Sequence, residues 1–191
     1  MNLTLANGSG SASNYSINSL TAEITGKPVT ISGSRLYDST TTASSSILTI
    51  TSGVSGESLS LTGSGVLGAA SAGTQTITNN NTLAIADGSG GLASNYTLSG
   101  ATINVTIIPR TLNVTLSREY DGTTSVSGAS LTPTFDSLQG GETLALSGTG
   151  SVSTANVGSS KAVSLGSIAL VAGSGNPSNY SLNSATMNVT Q

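Results

Sequence analysis

An all-β chain built of tandem small modules is the fold class this sequence predicts, and three observations predict it. Apolar residues alternate with Thr, Ser and Asn in short runs, turn signals rich in Gly separate those runs, and one set of motifs recurs at a period of about eighty residues.

The alternation is clearest in two neighbouring runs. Ile103, Val105 and Ile107 share one face, as do Leu112, Val114 and Leu116, while Thr111, Asn113 and Thr115 face the other way. A period of two describes strands with one face buried and one wet. The β-branched side chains suit a pleated surface. Gly-Ser-Gly at 8–10, 88–90 and 173–175, and Asp87-Gly88, supply turns that need positive φ. No segment sustains a 3.6-residue apolar period, so helix is expected to be minor.

The repeat rests on ordered landmarks. Ser-Asn-Tyr ends at Tyr15, Tyr96 and Tyr180, tyrosines 81 and 84 residues apart. Tyr37-Asp38-Ser39-Thr40-Thr41 is echoed by Tyr120-Asp121-Gly122-Thr123-Thr124, and Gly56-Glu57 by Gly141-Glu142. Pro28 and Pro109 each stand 13 residues after a Ser-Asn-Tyr tyrosine. The expected organisation is therefore 1–26 as the C-terminal part of a preceding repeat, or as strands completing the first module, followed by modules 27–108 and 109–191. A longer array is the expected source. Junctions of one or two residues beside Pro28 and Pro109 predict an extended rod. Within each module an immunoglobulin-like sandwich is expected; the alternative is a β-grasp-like arrangement, whose helix would have to come from residues 134–139.

Composition excludes much. Lys and Arg number 5, Asp and Glu 8, and the charged fraction is 7%, against about 25% in typical soluble domains. Roughly a third of the chain is Ser or Thr. Scattered cations and a net charge of -3 cannot form the basic stripe that nucleic acid requires. No run of about 18 apolar residues is present, so membrane insertion is not expected. The residues from Met1 to Asn7 read as neither the basic nor the apolar part of a signal peptide.

With no His and no Cys, serine and cysteine triads and zinc sites are excluded. The acidic residues do not space as a calcium loop, and Asp87-Gly88-Ser89-Gly90-Gly91 lacks the Gly-Lys-Ser/Thr end of a phosphate loop. Catalytic, cofactor and metal residues are thus expected to be absent. A carboxylate pair, Asp38 with Glu57 or Asp121 with Glu142, is the one formal catalytic option, and its recurrence in each copy points instead to scaffold. Asp38 and Asp121 are read as turn residues accepting N–H bonds from the Thr-Thr pair. Tyr15, Tyr37, Tyr96, Tyr120 and Tyr180 are read as structural anchors tying loops through their hydroxyls, with glycan stacking as the alternative. Nine Asn-x-Ser/Thr sequons occur, at Asn2, Asn7, Asn14, Asn80, Asn95, Asn104, Asn113, Asn179 and Asn188.

The motifs Tyr120-Asp121-Gly122-Thr123-Thr124, Gly141-Glu142-Thr143-Leu144, Asn156-Val157-Gly158 and Ser178-Asn179-Tyr180 resemble, in order, the YDG-type repeat of very large secreted bacterial proteins, notably filamentous-haemagglutinin-like adhesins exported by two-partner secretion. Copy 1 departs at Asp38-Ser39 and at Ser71-Ala72-Gly73. The resemblance implies an extracellular or cell-surface stalk or adhesive segment, repeated many times, supporting attachment or biofilm formation. Its partners would be neighbouring repeats of the same chain and a matrix polysaccharide or host-cell glycan. Some relatives carry glycans on sequon asparagines, which would make Asn95, Asn104, Asn113, Asn179 and Asn188 candidates.

Overall fold

The computed structural model describes residues 4–191; Met1–Leu3, including the Asn2 sequon, lie outside the described residues. The described chain is all-β. The first unit comprises β1 (Lys27–Leu36), β2 (Thr42–Ser44), β3 (Leu48–Thr51), β4 (Leu59–Thr62), β5 (Ser64–Leu67), β6 (Gly73–Asn79), β7 (Ala84–Asp87) and β8 (Tyr96–Ile108). The second repeats it with β9 (Arg110–Glu119), β10 (Ser125–Ser127), β11 (Thr134–Phe135), β12 (Leu144–Ser147), β13 (Thr149–Val152), β14 (Gly158–Ser164), β15 (Ala169–Ala172) and β16 (Tyr180–Thr190). Single turns of 3-10 helix are the only helical elements among the described residues.

Each unit is one six-stranded sheet and one two-stranded ribbon. The sheet orders are β2-β5-β6-β8-β1-β3 and β10-β13-β14-β16-β9-β11, and the ribbons are β4-β7 and β12-β15. First and last strands lie side by side and parallel at the sheet centre, with Ile31 opposite Ile103 and Val114 opposite Ala185. This central parallel pairing suits the β-grasp-like alternative better than two facing sheets of similar size. The helix it would require is absent, because Thr134–Phe135 pairs with β9 as a strand.

That pairing has a geometric consequence. When first and last strands run the same way, the chain enters a unit at one pole and leaves at the other. Lys27 lies opposite Tyr96 at the entry pole, and Leu36 opposite Ile108 at the exit pole. The next strand, β9, starts after Pro109 alone. Units built this way join in series.

The alternating runs bury as their period predicts. Leu112, Val114 and Leu116 are buried in β9, and Ile103, Val105 and Ile107 in β8, while the Thr and Asn between them are exposed. Val114, Leu116, Val126, Leu146, Met187 and Val189 centre the core of the second unit; Val29, Ile31, Leu83, Tyr96 and Ile103 centre that of the first. A third cluster spans both units, taking Tyr37, Ala43, Leu67, Val105 and Ile107 from the first and Leu112, Leu144 and Tyr180 from the second.

Pro28 does not mark a junction. It lies within β1 opposite Thr97, whereas Pro109 stands between two strands. Equal spacing from a tyrosine misaligns them because β8 bulges: β1 steps from Pro28 to Thr30 while β8 steps from Thr97 to Thr102. In the second unit the corresponding step on β16 is only from Leu182 to Ser184. Residues 15–26 align position by position with 180–191, yet no described residue of 4–26 is in a strand. Among the described residues no strand pairs with 15–26 as β9 and β14 pair with β16, and Ile24, aligned with buried Val189, is 97% exposed.

The Asp-Gly and Asp-Ser turns share one conformation. Gly122 has φ 74° and Ser39 has φ 62°, both left-handed. That region costs a non-glycine residue about 1–2 kcal/mol, partly offset by glycine's larger loss of backbone freedom on folding. Ser39→Gly is therefore expected to stabilise the chain by about 0.5 kcal/mol in urea unfolding; destabilisation of that size would contradict the strain argument.

Candidate functional site

Each unit carries the same pinned turn at its exit pole. Asp38 Oδ1 accepts the Thr40 N–H at 2.9 Å and the Thr40 hydroxyl at 2.8 Å. Asp121 Oδ1 accepts the same pair from Thr123 at 2.9 and 3.0 Å. These bonds, that from the Thr123 N–H first, hold the Asp121 carboxyl below its usual range. Behind each Asp lies an arginine at the end of the first strand. Arg35 pairs with Asp38 and donates to the Thr40 carbonyl at 2.5 Å; Arg118 pairs with Asp121 at 3.1 Å and donates to the carbonyls of Thr123 and of Ser125, the latter at 2.5 Å. Burial lowers the pKa of Arg35. Because Arg118 satisfies two backbone carbonyls and a carboxylate, Arg118→Met should cost about 2 kcal/mol in urea unfolding. An unchanged midpoint would show the turn to be held by Asp121 alone.

The turn aims the tyrosine that opens it. Tyr37 N–H bonds the Ile108 carbonyl at 2.9 Å, which sets the ring at the exit pole, where the second unit begins. There Tyr37 donates its hydroxyl to Glu142 Oε1 at 2.6 Å, and Tyr180 donates to Glu142 Oε2 at 2.5 Å. The two rings meet edge to face, centroids 5.3 Å apart and planes at 78°. Gln139 N–H donates to the Tyr180 hydroxyl at 3.0 Å, Arg110 Nε donates to the Tyr37 carbonyl at 2.9 Å, and Ala72 N–H donates to Asn179 Oδ1 at 2.8 Å. One carboxylate thus clamps a tyrosine from each unit over the shared apolar cluster. Burial, then the bond to Glu142, raises Tyr37; the same causes push Tyr180 up to about 12.

Closeness at the joint depends on a glycine. Gly140 has φ 59°, and a Cβ added there would lie 2.8 Å from the Ser39 hydroxyl oxygen.

The first unit's entry pole has the same parts. Tyr96 donates to Glu57, and that bond, followed by burial, raises the Tyr96 pKa. Beside them an open cleft of about 450 Å³ is lined by Val54, Glu57, Ser94, Asn95 and Tyr96, with residues 24–27 along its edge.

The sequence candidates therefore separate. Tyr37, Tyr96 and Tyr180 are buried anchors bonded through their hydroxyls, whereas Tyr15 and Tyr120 are exposed. The recurrent carboxylates do not pair with each other: Asp38 and Asp121 hold turns, and Glu57 and Glu142 hold tyrosines. Among the described residues no group of acidic side chains could hold a metal ion. Of the sequon asparagines singled out, Asn95, Asn104 and Asn113 are exposed and Asn188 is half-buried. Asn179 must be struck from the glycan candidates, being 4% exposed with its carbonyl oxygen engaged by Ala72.

Sequence reading passed over Arg35 and Arg118 and took Glu57 and Glu142 as landmarks and as members of a formal carboxylate pair, linking neither to a tyrosine. The signal was present: two of the 5 cations stand at the same place, in Ser-Arg-x-Tyr-Asp.

Fold and site together define a tandem-repeat β protein whose units latch pole to pole through a tyrosine and a carboxylate. The YDG domain matches residues 21–105 and again 104–187, so the chain belongs to the YDG domain family, in two tandem copies. No curated protein and no solved structure matches it.

Proposed function

We propose that the chain is a structural stalk of a bacterial cell-surface adhesin, lying outside the cell and spacing a distal binding region during attachment or biofilm formation. It performs no catalysis and binds neither nucleic acid nor membrane lipid. The observation that carries this reading is the joint. A one-residue connection, a core shared by both units and a carboxylate clamping Tyr37 to Tyr180 suit a rod that transmits position and force. Small-angle scattering is expected to give one elongated particle with fixed unit orientation. Profiles requiring freely reorienting units would overturn the spacer reading.

One observation favours an adhesive module instead. The outward face of the second unit's sheet presents Thr111, Asn113 and Thr115 beside Ser181, Asn183 and Ser184, exposed and polar, with the Asp136 carboxylate accepting from Asn113 Nδ2 at 2.8 Å; so low a charge suits neutral sugars better than charged ones. Saturable binding of the folded chain to one member of a polysaccharide panel would replace the spacer by this reading.

A further inference from the structure

Tension on a unit has one path through it. The chain enters at the start of the first strand and leaves at the end of the last, and these two strands lie side by side and parallel at the sheet centre. Pulling on the two ends therefore draws β1 past β8, and β9 past β16, along their own length. Bonds between parallel strands are evenly spaced, so such a pull loads them together and not one after another. Each unit has an uninterrupted run of seven pairs to share the load, Thr30–Leu36 against Thr102–Ile108 and Asn113–Glu119 against Ser184–Thr190. Each ladder lies inside its sheet, between β3 and β6 or between β11 and β14. Ile31, Ile103, Val105 and Ile107 seal the inner face of the first, and Val114, Leu116, Met187 and Val189 that of the second. These strands cannot creep. A slip of one residue turns every buried side chain to the wet face, so the next register that keeps the core is two residues away, about 6.6 Å.

From this geometry we propose that bearing tension is a function of each unit, and that its central parallel ladder is the clamp that bears it. The clamp is complete within each unit. The ribbons β4-β7 and β12-β15 and the edge strands lie off the path of force. The joint reinforces the first clamp, because β1 can slide toward the entry pole only if Tyr37, the residue after its last, leaves Glu142. As a function, tension bearing rests on the stalk reading; as a property of the fold it does not. Scattering that showed freely reorienting units would overturn the stalk and leave each clamp standing, whereas the measurement below can overturn the clamp alone.

The chain has no Cys, so introduced thiols give unique handles for single-molecule pulling under reducing conditions. Thr111→Cys with Thr190→Cys places the handles at opposite ends of β9 and β16 and shears the ladder between them. Thr111→Cys with Ser181→Cys places them at the same end, on residues that face each other, and peels the ladder open one pair at a time. All three positions are exposed, and neither pair of handles crosses the joint. Complete unfolding of the second unit releases nearly the same length in both geometries, about 250 Å, so the step identifies a folded unit and the force alone distinguishes the two. At one pulling speed the shear geometry should rupture at a force at least about twofold higher than the peel geometry, because seven pairs yield together instead of singly. Equal forces in the two geometries, or extension under shear with no discrete step, would overturn the proposal.

Discussion

Glu142→Ala is expected to uncouple the two units. In the native joint both oxygens of this carboxylate are engaged, one by Tyr37 and one by Tyr180, and both rings are buried. Removing the acceptor leaves two buried phenolic protons without a partner. Hydrogen bonds to a charged group are worth about 1.5–3 kcal/mol each, so the expected loss is about 3–5 kcal/mol, concentrated at the joint. The core of the second unit, around Leu116 and Met187, does not include these residues. Denaturant unfolding followed by amide exchange should therefore change from one transition to two, with protection lost first in β9 near Leu112 and in the Tyr180 region. Glu142→Gln keeps one acceptor oxygen and should lose about half as much. Glu57→Ala is the internal comparison, because at the open pole only Tyr96 depends on Glu57; it should cost about 1–2 kcal/mol and leave the joint intact. Equal effects of Glu57→Ala and Glu142→Ala would mean that the carboxylate serves its own unit and not the contact between units.

The division between what the sequence discloses and what it hides follows the range of the interactions. Alternation is local, so the buried faces of β8 and β9 could be read from Ile103 to Leu116. The Asp–Thr turn is equally local, spanning two residues, and its recurrence at Asp38 and Asp121 made it visible. The joint is neither. Tyr37 and Glu142 are 105 positions apart, and they meet only because the parallel pairing of first and last strands places the exit pole of one unit on the entry pole of the next. No short pattern encodes that pairing. Residues 15–26 show the converse. Their alternation is that of β16, yet they are not a strand, since alternation creates a strand only where a neighbour supplies the ladder. The Pro28 misalignment has a related cause, a bulge whose length differs between β8 and β16.

Alkali should open the same joint. A tyrosine whose folded pKa lies above its unfolded value of about 10 stabilises the fold fully below that unfolded value. As pH rises past it, the unfolded chain releases a proton that the folded chain retains, so stability falls until the folded pKa is passed. Tyr180 is held at about 12 and Tyr37 is raised as well, by burial first and then by Glu142. The window of loss therefore opens near pH 10 and extends to about 12. Above it, phenolates would face the Glu142 carboxylate across hydrogen bonds that no longer exist. Urea midpoints measured from about pH 9 upward should be level at first and then fall, with tyrosinate absorbance rising in step as the joint opens. Tyr180→Phe should begin less stable, because Gln139 and Glu142 each lose a partner, and should then fall less steeply across the window. A wild-type midpoint that stays level to about pH 11.5 would show that Tyr37 and Tyr180 are not held protonated by the contact between units.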